Sequence, residues 1–430
     1  ISDVYEPARG LTPEGHVLAL GWTALAAEDE TPRFALDAAR AKNADEFRAA
    51  ASHFHAPPQN MVYADTAGHI GFVAAGRMPL RHPSNAARGL LPVPGWQRES
   101  DWQGFIPFDE LPSQRDPASG RIVTANQKIV APDYPYWLGA DWVEPYRASR
   151  IEAMLGESQG LRVDDFVRMQ LDVTSGPARD LLPAMLAAMT PESVPDARAR
   201  RLLEALRGWN REMRAAAVEP LVFAAWVRQL ARSIYADELG ELFQEAWAER
   251  VEFLRHVLAP SDSAARWCDD VRTAPSETCA ERIAEAFRAA LDDLSQRYGD
   301  DPAAWTWGRA HAARAKHFPM TRVPLLRDLF DTVTPSDGGT HTVNVGAYAI
   351  DDADAPFESR HAAGFRAVYD LADLSASRFL INTGQSGHVL SSHYRDWAAP
   401  WQRGELVPML TDRAAIEAAG GETLLLEPRR

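Results

Sequence analysis

The hydrophobic pattern changes its period several times along the chain. NADEFRAAASHF reads as a helical stretch. It is followed by two strand-like runs, NMVYAD (60–65) and HIGFVAAG (69–76), around a TAG turn, which predicts a β-hairpin. A run rich in turn residues and aromatics comes next, and GRIVTANQ (120–127) is the next strand expected. Beyond residue 151 the period lengthens: Leu202, Leu206, Trp209 and Met213 recur at steps of 4, 3 and 4, as on the buried face of a helix. Phe223, Trp226, Leu230 and Ile234 continue the pattern, with Leu242, Phe243, Val251 and Leu254 behind them, all expected in a core. ETCAERIAEAFRAALDDLSQRYG predicts a further amphipathic helix stopped by Gly299. Strand signals return at THTVNVGAYAI (340–350), FRAVYDL (365–371) and SRFLINTG (377–384), the first introduced by the turn residues Asp337, Gly338 and Gly339.

Three zones follow: a strand-rich front at 1–150, a helical middle at 151–318 and a strand-rich end at 319–430. Strands grouped before and after a block of helices predict α+β architecture, one sheet system interrupted by a helical insertion, and not alternating βαβ units.

Composition narrows the partners. The chain has 430 residues, 46% of them hydrophobic and 24% charged, enough for a large buried core. The net charge of −15 argues against nucleic acid or an anionic membrane surface, both of which need a cationic face. No apolar run approaches the roughly 20 residues that span a bilayer. ISDVYEPARG has neither a basic nor an apolar leader region, so no signal peptide is expected there. Basic residues are nearly all Arg, with Lys only at Lys42, Lys128 and Lys316, as a GC-rich genome would produce. Cys268 and Cys279 are eleven positions apart; they are compatible with a small disulfide or with free thiols, and no further Cys or His lies beside them to make a metal site.

Most catalytic signatures are missing. GQSGH (384–388) is not a GxSxG elbow, and neither a P-loop nor GxGxxG occurs. His311 and His317 are six apart, which does not place both on one helix face, so packing or hydrogen bonding is expected of them, and His53 and His55, two apart, read as a helix end before a Pro-Pro turn. A hydrolase using Ser386 and His388 is the weakest of the readings.

Several longer runs carry a resemblance. QNMVYADTAGHIGFVAAGRMPLR (59–81), LPVPGW (91–96), GRIVTANQKIVAPDYPYWLGADWVEPYRASRI (120–151), WTWGRAHAARAKHFP and GQSG (384–387) occur in the order found in the penicillin acylase family of N-terminal-nucleophile hydrolases, and together they cover nearly the whole chain. The resemblance implies a layered αββα fold with a large helical insertion. It also implies hydrolysis of the amide of a β-lactam antibiotic or an acyl-homoserine lactone. In the family a precursor cleaves itself into a small (alpha) and a large (beta) chain, and the new N-terminal Ser of the large chain attacks with its own α-amine as base.

Residue by residue, Asn126 in VTANQ matches the family Asn whose amide donates to the oxyanion, and Arg147 in PYRASRI matches the Arg beside the active centre, with Arg150 its near neighbour. Without the motif, Asn126 would be an ordinary turn cap at a strand end and Arg147 a helix-start Arg paired with Glu144 or Glu152. Trp22 and Gln59 fall at positions that line the acyl pocket of relatives, although a lone Trp before a loop is ordinarily core.

The family's nucleophile has no match: Ser2 in ISDV lies outside its context, so the sequence is expected to correspond to a large chain without its N-terminal segment. The calcium Asp of some relatives is also unmatched, since YPYW occupies that stretch, and no cofactor is expected. The implied partners are a small-molecule acyl amide and the small chain of the same precursor, with no nucleic acid or membrane, in the periplasm. The alternative is a non-catalytic fragment or scaffold that needs another chain for activity.

Overall fold

The computed structural model describes residues 15–194, 196–259, 264–421 and 423–428; Ile1 and Ser2 lie outside the described residues. The chain divides into two compact units, Ile1–Val143 and Glu144–Arg430.

In the first unit, helices α1 (Thr31–Arg40) and α2 (Ala44–Ala51) precede the hairpin of β1 (Gln59–Ala64) and β2 (Ile70–Ala75). The Asn43 side chain caps α2 by accepting from the Glu46 N–H, and the Glu46 carboxylate accepts from the Lys42 N–H in return. The hairpin expected from the two runs around the TAG turn is present and antiparallel, with Gln59 opposite Ala75 and Ala64 opposite Ile70. Tyr63, Val73 and Ala75 from the hairpin and Ala44 and Ala51 from α2 form a small core, against which Phe34, Phe47 and Phe54 pack. Strands β3 (Pro79–Arg81) and β4 (Trp102–Phe105) make a separate antiparallel ribbon, and β5 (Ser113–Arg115) pairs with the second edge of β2.

The strand expected over 120–127 does not form. It joins neither edge of the β1-β2-β5 sheet. The segment is held instead by the Asn60 side-chain amide donating to the Thr124 hydroxyl at 2.9 Å. Gly120 and Asn126, at φ 67 and 68, bend its two ends out of extended conformation.

In the second unit, helices include α3 (Tyr146–Gly156), α4 (Ala197–Gly208), α5 (Glu219–Leu239) and α6 (Cys279–Tyr298). The helix α5 is buried along most of its length, and its Trp226 donates its indole N–H to the Ile283 carbonyl of α6 at 2.9 Å and packs on Phe287. Thr278 and Glu281 form the capping box of α6, and Gly299 at φ 89 ends it. Cys268 and Cys279 are joined in a disulfide that fastens the turn at Ala265–Cys268 to the start of α6.

Two helical expectations overreach. The period through Trp209 and Met213 runs past the end of α4 at Gly208; both residues are buried, but from a loop in which the Met213 N–H pairs with the Val173 carbonyl. Leu242 is 62% exposed, because α5 stops at Gly240, φ 52, and the following turn carries Leu242 outward.

Towards the C-terminus β6 (Ala312–Ala315) pairs with β7 (Thr332–Pro335). Within 340–350 only β8 (Gly346–Ala347) is strand, paired with β9 (His361–Ala362). The Thr342 hydroxyl accepts from the Gly339 N–H and donates to the Asn344 carbonyl, a local side-chain turn that competes with a ladder. The other two predicted strands are present as β10 (Phe365–Val368) and β11 (Arg378–Ile381), antiparallel with Phe365 opposite Ile381. Among the described residues no helix is long and apolar enough to cross a membrane.

Candidate active site

Asn126 stands at the mouth of a closed loop. Its carbonyl accepts the Val143 N–H at 3.0 Å, which joins the two ends of the segment between them. Just ahead of it the Gln127 side chain accepts from the Ala125 N–H at 2.7 Å and donates to the Val123 carbonyl. These bonds fix the main chain on both sides of Asn126, which takes a left-handed conformation that Asn tolerates better than most residues and presents an exposed side chain. An amide on a fixed main chain suits an oxyanion donor, which must not reorganise as charge develops.

Gln59 opens β1, exposed, and the adjoining Asn60 ties that strand to Thr124, two residues before Asn126. The Gln59 and Asn126 segments are therefore bonded to each other through their neighbours. Trp22 precedes a short 3-10 turn at Thr23–Leu25 and is 48% exposed, so it is not the core residue that a lone Trp usually is.

Arg147 belongs to the second unit, in the first turn of α3, half-buried, and burial lowers its pKa from the ordinary arginine value. Its neighbour Arg150 is committed elsewhere: Nε and Nη2 grip the Asp172 carboxylate at 3.1 and 2.7 Å, a bidentate pair that braces α3. The two arginines of PYRASRI thus separate by environment. The Arg147 charge acts on His341, which is buried against the Tyr146 ring with neither ring nitrogen hydrogen-bonded. Burial first, and the Arg147 charge second, push that imidazole down to about 4, so it is neutral near pH 7. Glu144 lies 3.9 Å from its Nε2. Glu249 lies half-buried close by; burial, helped by Glu144, pushes its carboxyl up to about 7, although the Tyr348 hydroxyl donates to it and pulls the other way. This cluster was invisible in the sequence, since a lone His in a strand-like run and a lone Glu in a helical zone carry no spacing signal.

The remaining candidates separate. The Ser386 hydroxyl accepts from the main-chain N–H of His388 at 3.1 Å, while His388 Nδ1 accepts from Leu390 N–H, so imidazole and hydroxyl form no nucleophile–base pair. His311 is buried, bonded through Nδ1 to the Phe357 carbonyl and stacked on Trp307, whereas His317 packs on Phe330. His53 and His55 both follow the end of α2 and meet Glu30, one at its carboxylate and the other accepting its N–H. Among the described residues no three His, Cys, Asp or Glu side chains are placed so that they could hold a metal ion.

A family model described as Penicillin amidase matches residues 2–418. The chain belongs to the penicillin amidase family. Within it, the acyl-homoserine lactone acylase QuiP of Pseudomonas aeruginosa is 30% identical over 442 residues, covering 94% of this chain and 50% of its own length. Penicillin acylase 2 proenzyme of Pseudomonas sp. is 32% identical over 376 residues, covering 85% and 46%. The chain spans about half the length of these curated relatives. A thermostable penicillin G acylase from Alcaligenes faecalis shares the fold, with a TM-score of 0.65 at 19% identity over 95% of this chain and 74% of that one. The α+β, N-terminal-nucleophile hydrolase fold expected from the motifs is therefore the fold of this chain.

Proposed function

We infer that these residues form the large-chain portion of an acylase that hydrolyses the linear amide of an acyl-homoserine lactone or a β-lactam antibiotic. The observation that carries the reading is Asn126: an exposed amide on a main chain locked from both sides, in the motif where the family places its oxyanion donor. In this reading a serine supplied from outside residues 1–430, freed as a chain terminus by self-cleavage of a precursor, adds to the substrate carbonyl. Its α-amine takes the hydroxyl proton and returns it to the leaving amine, and water then releases the acyl group. Asn126 donates to the oxyanion in both halves, Arg147 orients the site, and Trp22 and Gln59 line the acyl pocket. The coverage of only half of each relative leaves room for that serine and for a small partner chain. The Cys268–Cys279 disulfide favours an oxidising compartment, and we place the protein in the periplasm.

The test is N-terminal sequencing and intact mass of the mature protein expressed from its full reading frame, followed by assay against both amide classes. The expected result is a chain that contains Asn126 and begins with Ser, active on one of the two classes, while residues 1–430 alone show no turnover. Covalent labelling of a serine within residues 1–430 by an amide-mimicking inhibitor would overturn the reading.

A further inference from the structure

The first unit holds a cavity of about 610 Å³ between the loop that follows β3 and the segment 128–142. Its lining is unusual for a chain of net charge −15: Arg81, Arg88 and Lys128 all face it, and among the described residues no carboxylate does. None of the three cations forms an ion pair with a described residue. Burial alone acts on Arg81 and lowers its pKa, as for a guanidinium without a counter-charge. Three cations lining one concavity without an acidic residue leave it electropositive, and an anion bound there supplies the missing counter-charge.

The opposite wall is aromatic and held in place. The Tyr134 hydroxyl donates to the Glu110 carbonyl at 2.9 Å and Tyr136 donates to the Glu110 carboxylate, which fixes both rings from outside the cavity. Trp142 is pinned through its indole N–H to the Gly139 carbonyl. Arg88 lies over the Trp137 ring, 5.0 Å from its centre, and so spans the two walls. It does so from a left-handed main-chain conformation, φ 49, that a non-glycine residue adopts only when its surroundings impose it. Here the His82–Leu90 loop imposes it: the Arg88 N–H bonds to both the main-chain and the side-chain oxygen of Asn85.

We propose that this cavity is a binding site for a small organic anion with a planar apolar body, whose carboxylate meets Arg81 and Lys128 while its body lies along the Trp137–Tyr134 wall. The volume suits a ligand of that size. A guanidinium fork supplies the directional part of the recognition, and the ring faces supply area at little entropic cost. The site is separate from the oxyanion donor in chemistry, although its wall is the loop that Val143 closes onto Asn126.

The experiment uses the complete protein and a matched pair of probes, benzoate and the uncharged benzamide, titrated while tryptophan fluorescence is followed and checked by calorimetry. Saturable binding of benzoate at millimolar or lower concentration is expected, with benzamide at least about ten-fold weaker and benzoate affinity falling as salt is raised. Arg81→Gln and Lys128→Gln should each weaken benzoate about five-fold or more while leaving Tm near that of the parent; Lys128 is exposed, so its replacement does not threaten folding. Arg81→Lys, which keeps the charge, should recover part of the loss. Equal affinity for the two probes, benzoate binding indifferent to both Gln substitutions, or no saturable binding would each overturn the proposal.

Discussion

The Asn126 carbonyl and the Val143 N–H meet at 3.0 Å, and this bond sets where the Asn126 side chain begins. It closes a loop whose far end carries the chain into PYRASRI, so the two motif residues Asn126 and Arg147 flank one short stretch of sequence, although they belong to different compact units. The position also separates two roles of Asn126, one in its amide and one in its left-handed main chain.

Those roles can be measured apart. Asn126→Gly keeps the main-chain conformation and removes the amide; in the processed enzyme it should lower kcat by about 10²–10³ with a small change in KM and in Tm. Asn126→Ala should show the same kinetic loss together with about 1 kcal/mol of lost stability, because Ala lacks the short polar side chain that lets Asn tolerate φ 68. A Gly variant with parental kcat would remove Asn126 from the oxyanion site and leave it as a turn residue.

Arg147 and Arg150 should respond in opposite ways. Arg150→Gln breaks the bidentate pair with Asp172, whose side chain is only 13% exposed, and should cost about 1–3 kcal/mol with little direct effect on kcat. Arg147→Gln, at the motif position beside the active centre, should instead lower activity sharply. Denaturant midpoints beside kcat/KM decide between them; loss of activity from Arg150→Gln at unchanged stability would exchange the two assignments.

The disulfide is a third test. It closes a loop of about eleven residues and joins a buried Cys268 to the first residue of α6. By the chain-entropy argument, replacing both cysteines with Ser should cost about 2–3 kcal/mol. The loss should be seen equally when the parent is unfolded in the presence of a reductant, and an unchanged midpoint under reduction would mean that the thiols are not paired in solution.

What could be read from the sequence was periodic. The hairpin 59–75, the helix under NADEFRAAASHF and the helix ended by Gly299 each follow from spacing and capping residues, because in each the local preference and the buried face agree. The segments 120–127 and 340–350 have the composition of strands, yet Gln127 in one and Thr342 in the other satisfy the main chain by side-chain bonds that no pattern of apolar residues reveals. The same holds for the candidate site. Asn126 and Arg147 were found only because they sit in long motifs, whereas Glu144, Glu249, His341 and Tyr348 come together from segments some hundred residues apart, with nothing in their spacing to announce it.

That cluster gives stability a specific pH dependence. Glu249 has its pKa raised from the ordinary 4.5 to about 7, chiefly by burial and further by Glu144. Because the folded value lies above the unfolded one, the folded state holds the proton more tightly. The contribution of this group to stability is fully present below about pH 4.5 and is lost progressively as pH rises through about 7. Glu249→Gln keeps the size and a hydrogen-bonding partner for the Tyr348 hydroxyl but cannot ionise. Its unfolding midpoint should match the parent's below pH 4.5, exceed it increasingly as pH rises from 4.5 to about 7, and keep a constant lead above that, where the parent must hold a carboxylate beside Glu144. His341, lowered from 6.5 to about 4, acts in the opposite sense between those values, but it does so in both proteins alike and cancels from their difference. Parallel midpoint-versus-pH curves for the two proteins would place the Glu249 carboxylate in water.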